Sequence, residues 1–308
     1  MADERPPGGR GSKPSPPRRR MPNLGPLPWI GPALLLIFGV VLWPAFEMLR
    51  TSLSRISVSG LAQGFTGLDN FERLFADPDL LGIMTRTLVW VFVVVSVTIV
   101  VSLGLSALLN AAFPGRRFVR WALIVPWAAS VVMTATIWRW MLDGFYGIIN
   151  RILFDLGLIE TPIRDWLGDP SSAFIWLMFV AIFVSLPFTT YVLLAGLQSI
   201  PKDIYEAAKV DGATGWRTYR DITLPLLRPA LLVAAIINMI NVFNSFPIIW
   251  AMTRGGPGSL TDTTTTHMYK LAFQLLDIGQ SAAMAVVNFA VILLFVLLYL
   301  RVVDWRRA

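Results

Sequence analysis

Three asparagines, Asn238, Asn241 and Asn244, recur every third residue within an otherwise apolar stretch, and Ser245 follows the last of them. Steps of three keep side chains near one face of a helix, drifting slowly around it. A carboxamide both donates and accepts hydrogen bonds, which suits a ligand rich in vicinal hydroxyls. The same amides also suit joining one helix to another away from water. Upstream, Ser185, Pro187, Thr189, Thr190 and Tyr191 interrupt a second apolar run. Pro187 frees a backbone carbonyl and permits a kink. Thr189 and Tyr191 join Asn238, Asn241, Asn244 and Ser245 as candidates for lining a solute path, with helix packing as the competing reading.

Covalent and acid–base chemistry finds little support. His267 is the single histidine and the chain has no cysteine, so neither a metal site nor a thiol nucleophile is expected, and His267 reads as a polar loop residue. Asp143, Asp155, Glu160, Asp165 and Asp169 crowd one connecting segment. Spread along a loop, they describe a solvated surface or a contact for another protein rather than paired catalytic carboxylates. No glycine-rich loop ending in Lys-Ser or Lys-Thr occurs, so this chain is not expected to bind ATP.

The elements that must position these residues are membrane spans. Of 308 residues, 55% are hydrophobic and 15% charged, and the apolar ones fall in long runs nearly free of charge. Each run approaches the ~20 residues that cross a bilayer core. Six are expected, at about 30–49, 86–110, 119–141, 173–197, 229–250 and 281–301, which makes the fold class an all-α integral membrane protein. Trp29, Trp43, Trp121, Trp140, Trp176, Trp250 and Trp305 stand near span ends, as interfacial anchors do. The net charge of +7 comes from basic residues flanking the spans, so a membrane rather than nucleic acid explains it. Of the 26 Lys and Arg residues, 17 fall in the N-terminal tail, in 111–120, in 198–228 and at the C-terminal end, and nine in 50–86, 138–173 and 251–280. That asymmetry puts both termini in the cytoplasm. Residues 1–28, rich in Pro, Gly and Arg, read as a disordered cytoplasmic tail. Arg18, Arg19 and Arg20 raise the possibility of a secretory or twin-arginine signal, but no small-residue cleavage site follows, so an uncleaved first helix is expected.

The segment from Ser199 to Pro225, between the fourth and fifth spans, reads as two short helices joined by a turn. Pro201 suits a helix start, Gly212 a left-handed C-terminal cap, and Thr214 the next N-cap. Pro225 is expected to stop the second helix. Ala207 and Ala208 give a narrow face that another backbone can approach, with Ile204, Tyr205 and Tyr219 as apolar area beside it.

Glu206-Ala207-Ala208, Asp211-Gly212-Ala213, Ile222 and Leu224-Pro225 resemble the EAA motif of ABC importer permeases. In that family the loop is a coupling helix seated in a cleft of the cytoplasmic ATPase. The resemblance therefore implies that Glu206, Ala207, Ala208, Asp211, Gly212, Ala213, Leu224 and Pro225 couple the ATPase to the membrane helices. Gly67-Leu-Asp-Asn-Phe71, Thr253-Arg-Gly-Gly-Pro257, Tyr269, Ala272-Phe273 and Gly279-Gln-Ser-Ala-Ala283 are similar to segments of the maltose, glycerol-phosphate and multiple-sugar permeases. These resemblances imply a type I importer permease with a short coupling helix, pairing with a second, different permease. Its further partners would be an ATPase dimer holding ATP and Mg, an extracytoplasmic solute-binding protein, lipid and a carbohydrate, in a bacterial or archaeal plasma membrane. Trp138 and Trp140 then suit either stacking on a sugar ring or interfacial anchoring, while Arg139 is expected to snorkel to headgroups. An importer of amino acids, peptides or phosphate esters is the nearest alternative. A membrane-embedded enzyme or an ion-coupled carrier would need acids or histidines inside the spans, which are almost free of them.

Overall fold

A computed structural model describes residues 27–302. The tail expected over 1–28 lies outside the described residues except Leu27 and Pro28, which open the first helix, and Trp305 lies outside them as well. Two bodies are distinguished, one ending at Glu47 and one starting at Met48.

The first body is helical: α1 (Leu27–Leu36), a π-helical stretch (Ile37–Leu42) and the start of α2 (Trp43–Ser52). Pro44 has no N–H for the carbonyl one turn back, and the wider π turn ahead of it absorbs that gap without breaking the helix.

In the second body a short antiparallel pair, β1 (Ser54–Ile56) and β2 (Ala62–Phe65), precedes α3 (Asp69–Phe75). Asn70 is buried and pins this segment: its Nδ2 donates to Ser52 O at 2.8 Å and Ser54 O at 2.9 Å, while Arg73 Nη2 donates to its Oδ1. Then come α4 (Leu80–Asn110), α5 (Arg116–Ala128), α6 (Val131–Met141), α7 (Ile148–Asp155) and α8 (Pro170–Ser199). The chain continues through α9 (Lys202–Val210), α10 (Gly215–Thr218), a π-helical turn (Tyr219–Thr223), α11 (Leu224–Leu226), α12 (Arg228–Phe243), α13 (Phe246–Met252), α14 (Thr264–Phe273) and α15 (Ile278–Val302). Among the described residues four helices are long and apolar enough to cross a membrane, or up to six if each bent pair is one span.

Helices α4, α8 and α12 pack together around Trp90, Val94, Leu177, Val180, Val242 and Phe243. A Cβ on Gly196 would collide with Ala230 Cβ, so glycine lets α8 and α12 approach at the small-residue contact typical of membrane helices. Pro187 stays inside α8 with no break, because a single missing N–H in a 30-residue helix is bridged by the turns on either side.

Two of the expected spans are broken along their length, and one local expectation, the stop at Pro225, is corrected. The stretch 119–141 is not one straight helix: α5 and α6 meet at 101°, with Ala129 and Ser130 extended just after Pro126. The stretch 229–250 is interrupted at Asn244 and Ser245, where Pro247 offers no N–H to the carbonyl of Phe243. Finally, Pro225 does not stop its helix. The π-helical turn before it makes room for the ring, the helix runs on to Leu226, and the 67° turn falls just after, at Leu227.

Candidate functional site

The break between α12 and α13 builds the first site. The Val242 carbonyl, left by the interrupted ladder, is approached by Ser245 N at 3.2 Å, Ser245 Oγ at 2.7 Å and Trp90 Nε1 at 3.0 Å. Trp90 Nε1 also donates to Ser245 Oγ at 2.9 Å. A kink with its freed carbonyl satisfied from a neighbouring helix is fixed in place rather than frayed.

Beside that kink lies a cavity of about 420 Å³, lined by Asn238, Asn241, Asn244 and Ser245 together with Ser185, Trp127 and Phe188. The second break borders it too, with Trp127 near the end of α5 and Val131 at the start of α6 on its wall. Asn238 is only 2% exposed and its Nδ2 has no partner. A buried donor left unpaired is costly, and Asn238 is the cavity-lining amide that carries that cost. Asn244 Nδ2 is spent on Ile240 O at 2.9 Å. Thr189 and Tyr191 lie elsewhere: the buried Thr189 donates back to Ser185 O at 3.0 Å, and Tyr191 Oη reaches Arg120 O at 3.4 Å. Thr189 thus closes onto its own helix and Tyr191 onto the backbone of α5, which leaves both hydroxyls little for a ligand. Sequence reasoning missed Trp127 and Phe188. Pro126 was the one available signal, since it weakens the helix end that carries Trp127.

Trp138 packs edge-on to Phe179 and Phe183, with centroids at 5.1 and 5.7 Å, and against Trp176, so its ring is used in packing. Trp140 is 70% exposed. Arg139 Nη1 donates to Ala251 O at 3.3 Å, tying α6 to α13. The acids of the connecting segment mostly cap backbone. Asp143 Oδ1 accepts from Phe145 N and Tyr146 N, which holds its carboxyl below the usual carboxylate range. Asp165 takes Leu167 N and Gly168 N, and Asp169 caps α8 through Ser172 N. Asp155 pairs with Arg151, and Glu160 is exposed. Among the described residues no group of three His, Cys, Asp or Glu side chains is placed to hold a metal.

The second site is the connection from α8 to α12. Helix α9 ends in a two-bond Schellman cap: Ala213 N donates to Ala208 O at 2.9 Å and Gly212 N to Lys209 O at 3.1 Å, with Gly212 at φ +71°. The next helix begins at Thr214 as expected, but the Thr214 side chain makes no capping bond. Ile204 and Tyr205 turn inward onto Leu193, Leu197, Ile200 and Leu227, and Tyr219 is half-buried, so these rings and chains anchor the loop instead of offering it outward. The two alanines also part: Ala208 is buried and Ala207 exposed, as residues 100° apart on a helix must be. Leu224 and Pro225 are half-buried where the segment rejoins the bundle. The outward side carries Glu206, Ala207, Asp211 and Gly212 with Val210 and Trp216, which are 88% and 73% exposed. Val210 and Trp216 were not singled out from sequence. Their apolar character is compatible with either face until the cap fixes which one.

His267 is buried on α14, not in a loop, because Thr263 and Thr266 form a reciprocal capping box that starts the helix there. Its Nε2 stands 3.4 Å from Asp77 Oδ2 without hydrogen-bond alignment. Burial pushes its imidazole below the usual value near 6.5; the nearby Asp77, Asp262 and Asp79 oppose that shift and Lys270 reinforces it. The folded chain thus binds this proton less readily than the unfolded one. Stability is present above the usual histidine value and is lost as pH falls from there toward the depressed one. A purified sample should melt at lower temperature at pH ~5.5 than at pH ~7.5, and His267→Gln should flatten that dependence. An unchanged slope in the variant would assign the effect to the carboxylates instead.

Known proteins resemble the chain over nearly its whole length. The family model described as "Binding-protein-dependent transport system inner membrane component" matches residues 22–307. A probable ABC transporter permease protein of Brucella suis biovar 1 is 42% identical over 271 residues, covering 88% of this chain and 93% of that one. The trehalose/maltose transport system permease protein MalF of Thermococcus litoralis is 34% identical, covering 90% and 92%. A crystal structure of a bacterial ABC transporter involved in importing the acidic polysaccharide alginate superposes with a TM-score of 0.80 at 22% identity, covering 92% and 96%. At that identity the likeness speaks to the fold alone.

Proposed function

The chain belongs to the family of inner membrane components of binding-protein-dependent transport systems, and from that premise we propose that it is one of two different permease subunits of an ATP-driven carbohydrate importer. Its part is transport rather than catalysis, as in the permease subunits it resembles. The observation that carries the reading is the joint presence of an amide-lined cavity at two helix breaks and a capped, outward-facing loop between α8 and α12.

In this reading both termini are cytoplasmic, following the distribution of Lys and Arg, and the membrane is that of a bacterium or archaeon. The outward side of α9 seats on a separate ATPase subunit, one of a dimer that holds ATP and Mg; this chain binds neither. A solute-binding protein delivers the sugar from the opposite side, lipid covers the remaining apolar surface, and nucleic acid has no part. Closure of the ATPase dimer pushes on α9, and through the Leu227 bend on α12, so the walls of the cavity move with the nucleotide state. Such coupling selects between outward- and inward-open arrangements by their difference in binding energy. The permeases for trehalose/maltose and for sulfoquinovosyl glycerol among the relatives support a carbohydrate. The test is ATP hydrolysis by the reconstituted complex with its binding protein and a panel of sugars. One sugar should raise the rate; stimulation by an amino acid, peptide or phosphate ester but by no sugar would replace this reading.

A further inference from the structure

Resting on the permease reading, which puts the segment between α8 and α12 on the cytoplasmic side, we infer that a cavity beneath that segment binds a phosphate-bearing anion and that its occupancy slows transport. The cavity measures about 370 Å³ and lies where the last turn of α4, at Ala107 and Asn110, meets Tyr205, Lys209 and Tyr219. That volume falls in the range of small-molecule sites. Lys209 is the one charged residue of its wall and forms no ion pair among the described residues. Glu206 and Asp211 stand outside the lining, so a cation borders the space with no carboxylate in the wall to neutralise it.

The polar groups of this wall suit phosphate. An ammonium is a point-charge partner for phosphoryl oxygens. The carboxamide of Asn110 and the phenol of Tyr219 are donors too, and neither side chain holds a hydrogen-bond partner among the described residues. Burial raises the Tyr219 phenol above its usual value, so it stays protonated and able to donate. The rest of the wall, with Ala107, Leu197 and the ring of Tyr205, is largely apolar and fits a carbon skeleton. Beyond α4, Arg116, Arg117 and Arg120 also form no ion pair among the described residues. Unpaired positive charge therefore gathers at this end of α4 and α5, and it draws anions. A ligand in the cavity touches α4, α9 and the π-helical turn at once. It favours the arrangement in which they meet, and a thrust that shifts α9 against α4 must break its contacts. Such a ligand opposes closure of the ATPase by its difference in affinity for the two arrangements.

The experiment uses the assembled transporter in phosphatidylcholine nanodiscs. Labelled glucose 6-phosphate and inorganic phosphate are the soluble probes, and nanodiscs containing phosphatidylglycerol supply the same chemistry as a lipid headgroup. Occupancy from either source should lower sugar-stimulated ATP hydrolysis, read as ADP release, about fivefold. Lys209→Gln should weaken equilibrium binding of the soluble probe about tenfold and remove the inhibition from either source. Asn110→Leu should weaken binding as well, and Lys209→Arg should retain it. Assembly of each variant is checked by size exclusion. Inhibition by glucose 6-phosphate in phosphatidylcholine identifies a soluble ester as the ligand; inhibition by phosphatidylglycerol alone identifies a lipid headgroup. Inhibition that persists undiminished in Lys209→Gln places the anion elsewhere, as at the nucleotide site of the ATPase, and overturns the inference. Inhibition by neither source overturns it equally, and both results leave the carbohydrate reading intact. Failure of every sugar to stimulate hydrolysis in the ligand-free complex sinks that reading instead, while equilibrium binding to the wild type and Lys209→Gln still decides whether the cavity holds the anion.

Discussion

Replacing Gly212 with proline is expected to bring ATP hydrolysis down to its unstimulated rate while the complex still assembles. Gly212 sits at φ +71° and closes the cap of α9 through its N–H to Lys209 O. Proline is locked near φ −65° and has no N–H, so it can neither adopt that conformation nor make that bond. The loss falls on the angle between α9 and the next helix, because Ile204 and Tyr205 still anchor α9 on the bundle. A thrust received on the exposed side would then be delivered to the Leu227 bend in the wrong direction. Gly212→Asn is the informative control, since asparagine tolerates the left-handed region at a modest energy, and it should keep most of the stimulation. Stimulated hydrolysis and sugar uptake, measured together in proteoliposomes, decide the matter. If the proline variant transports at the wild-type rate, the loop is a connector only.

The second large effect is expected at the opposite end of the bundle. Lys270 Nζ lies 2.6 Å from Asp262 Oδ2, with the two side chains 17% and 1% exposed. Arg86 Nε reaches the Asp262 carbonyl at 3.2 Å, and Thr264 N donates to Thr87 Oγ1 at 2.9 Å, so this pair sits where α14 is fastened to α4. Lys270→Met would leave a buried carboxylate uncompensated, which in comparable cases costs about 3–5 kcal/mol. Its melting temperature in detergent should drop sharply. The double variant Asp262→Asn with Lys270→Met removes both charges and should recover most of the loss, because the penalty arises from the unpaired ion rather than from the missing attraction. Equal stability of the single and double variants would mean that the site admits enough water to screen the carboxylate.

Much of this was legible in the sequence. The apolar runs are long and uncharged, and nothing but a membrane tolerates that, so helices such as α4 and α8 fall close to where hydropathy put them. Gly212 was legible for a local reason: a cap needing positive φ favours one residue type. The GLDNF segment was recognised as a pattern, but its use was not. Only the fold shows Asn70 binding Ser52 and Ser54 and packing against Gly279, some two hundred residues away.

What the sequence settled by itself is the medium and the class of fold, because transfer of apolar surface from water depends on composition over about 20 residues and hardly on the partners. It also placed the polar residues along the chain, which is how Asn238, Asn241 and Asn244 stood out. The tertiary structure decided which of them face a common space, that α5 and α6 part at 101°, and that His267 and Thr261 to Thr266 are buried. Hydropathy cannot register these outcomes. A kink is unfavourable alone, and this one persists because a partner distant in sequence, Trp90 at the Val242 carbonyl, satisfies what the local chain leaves open.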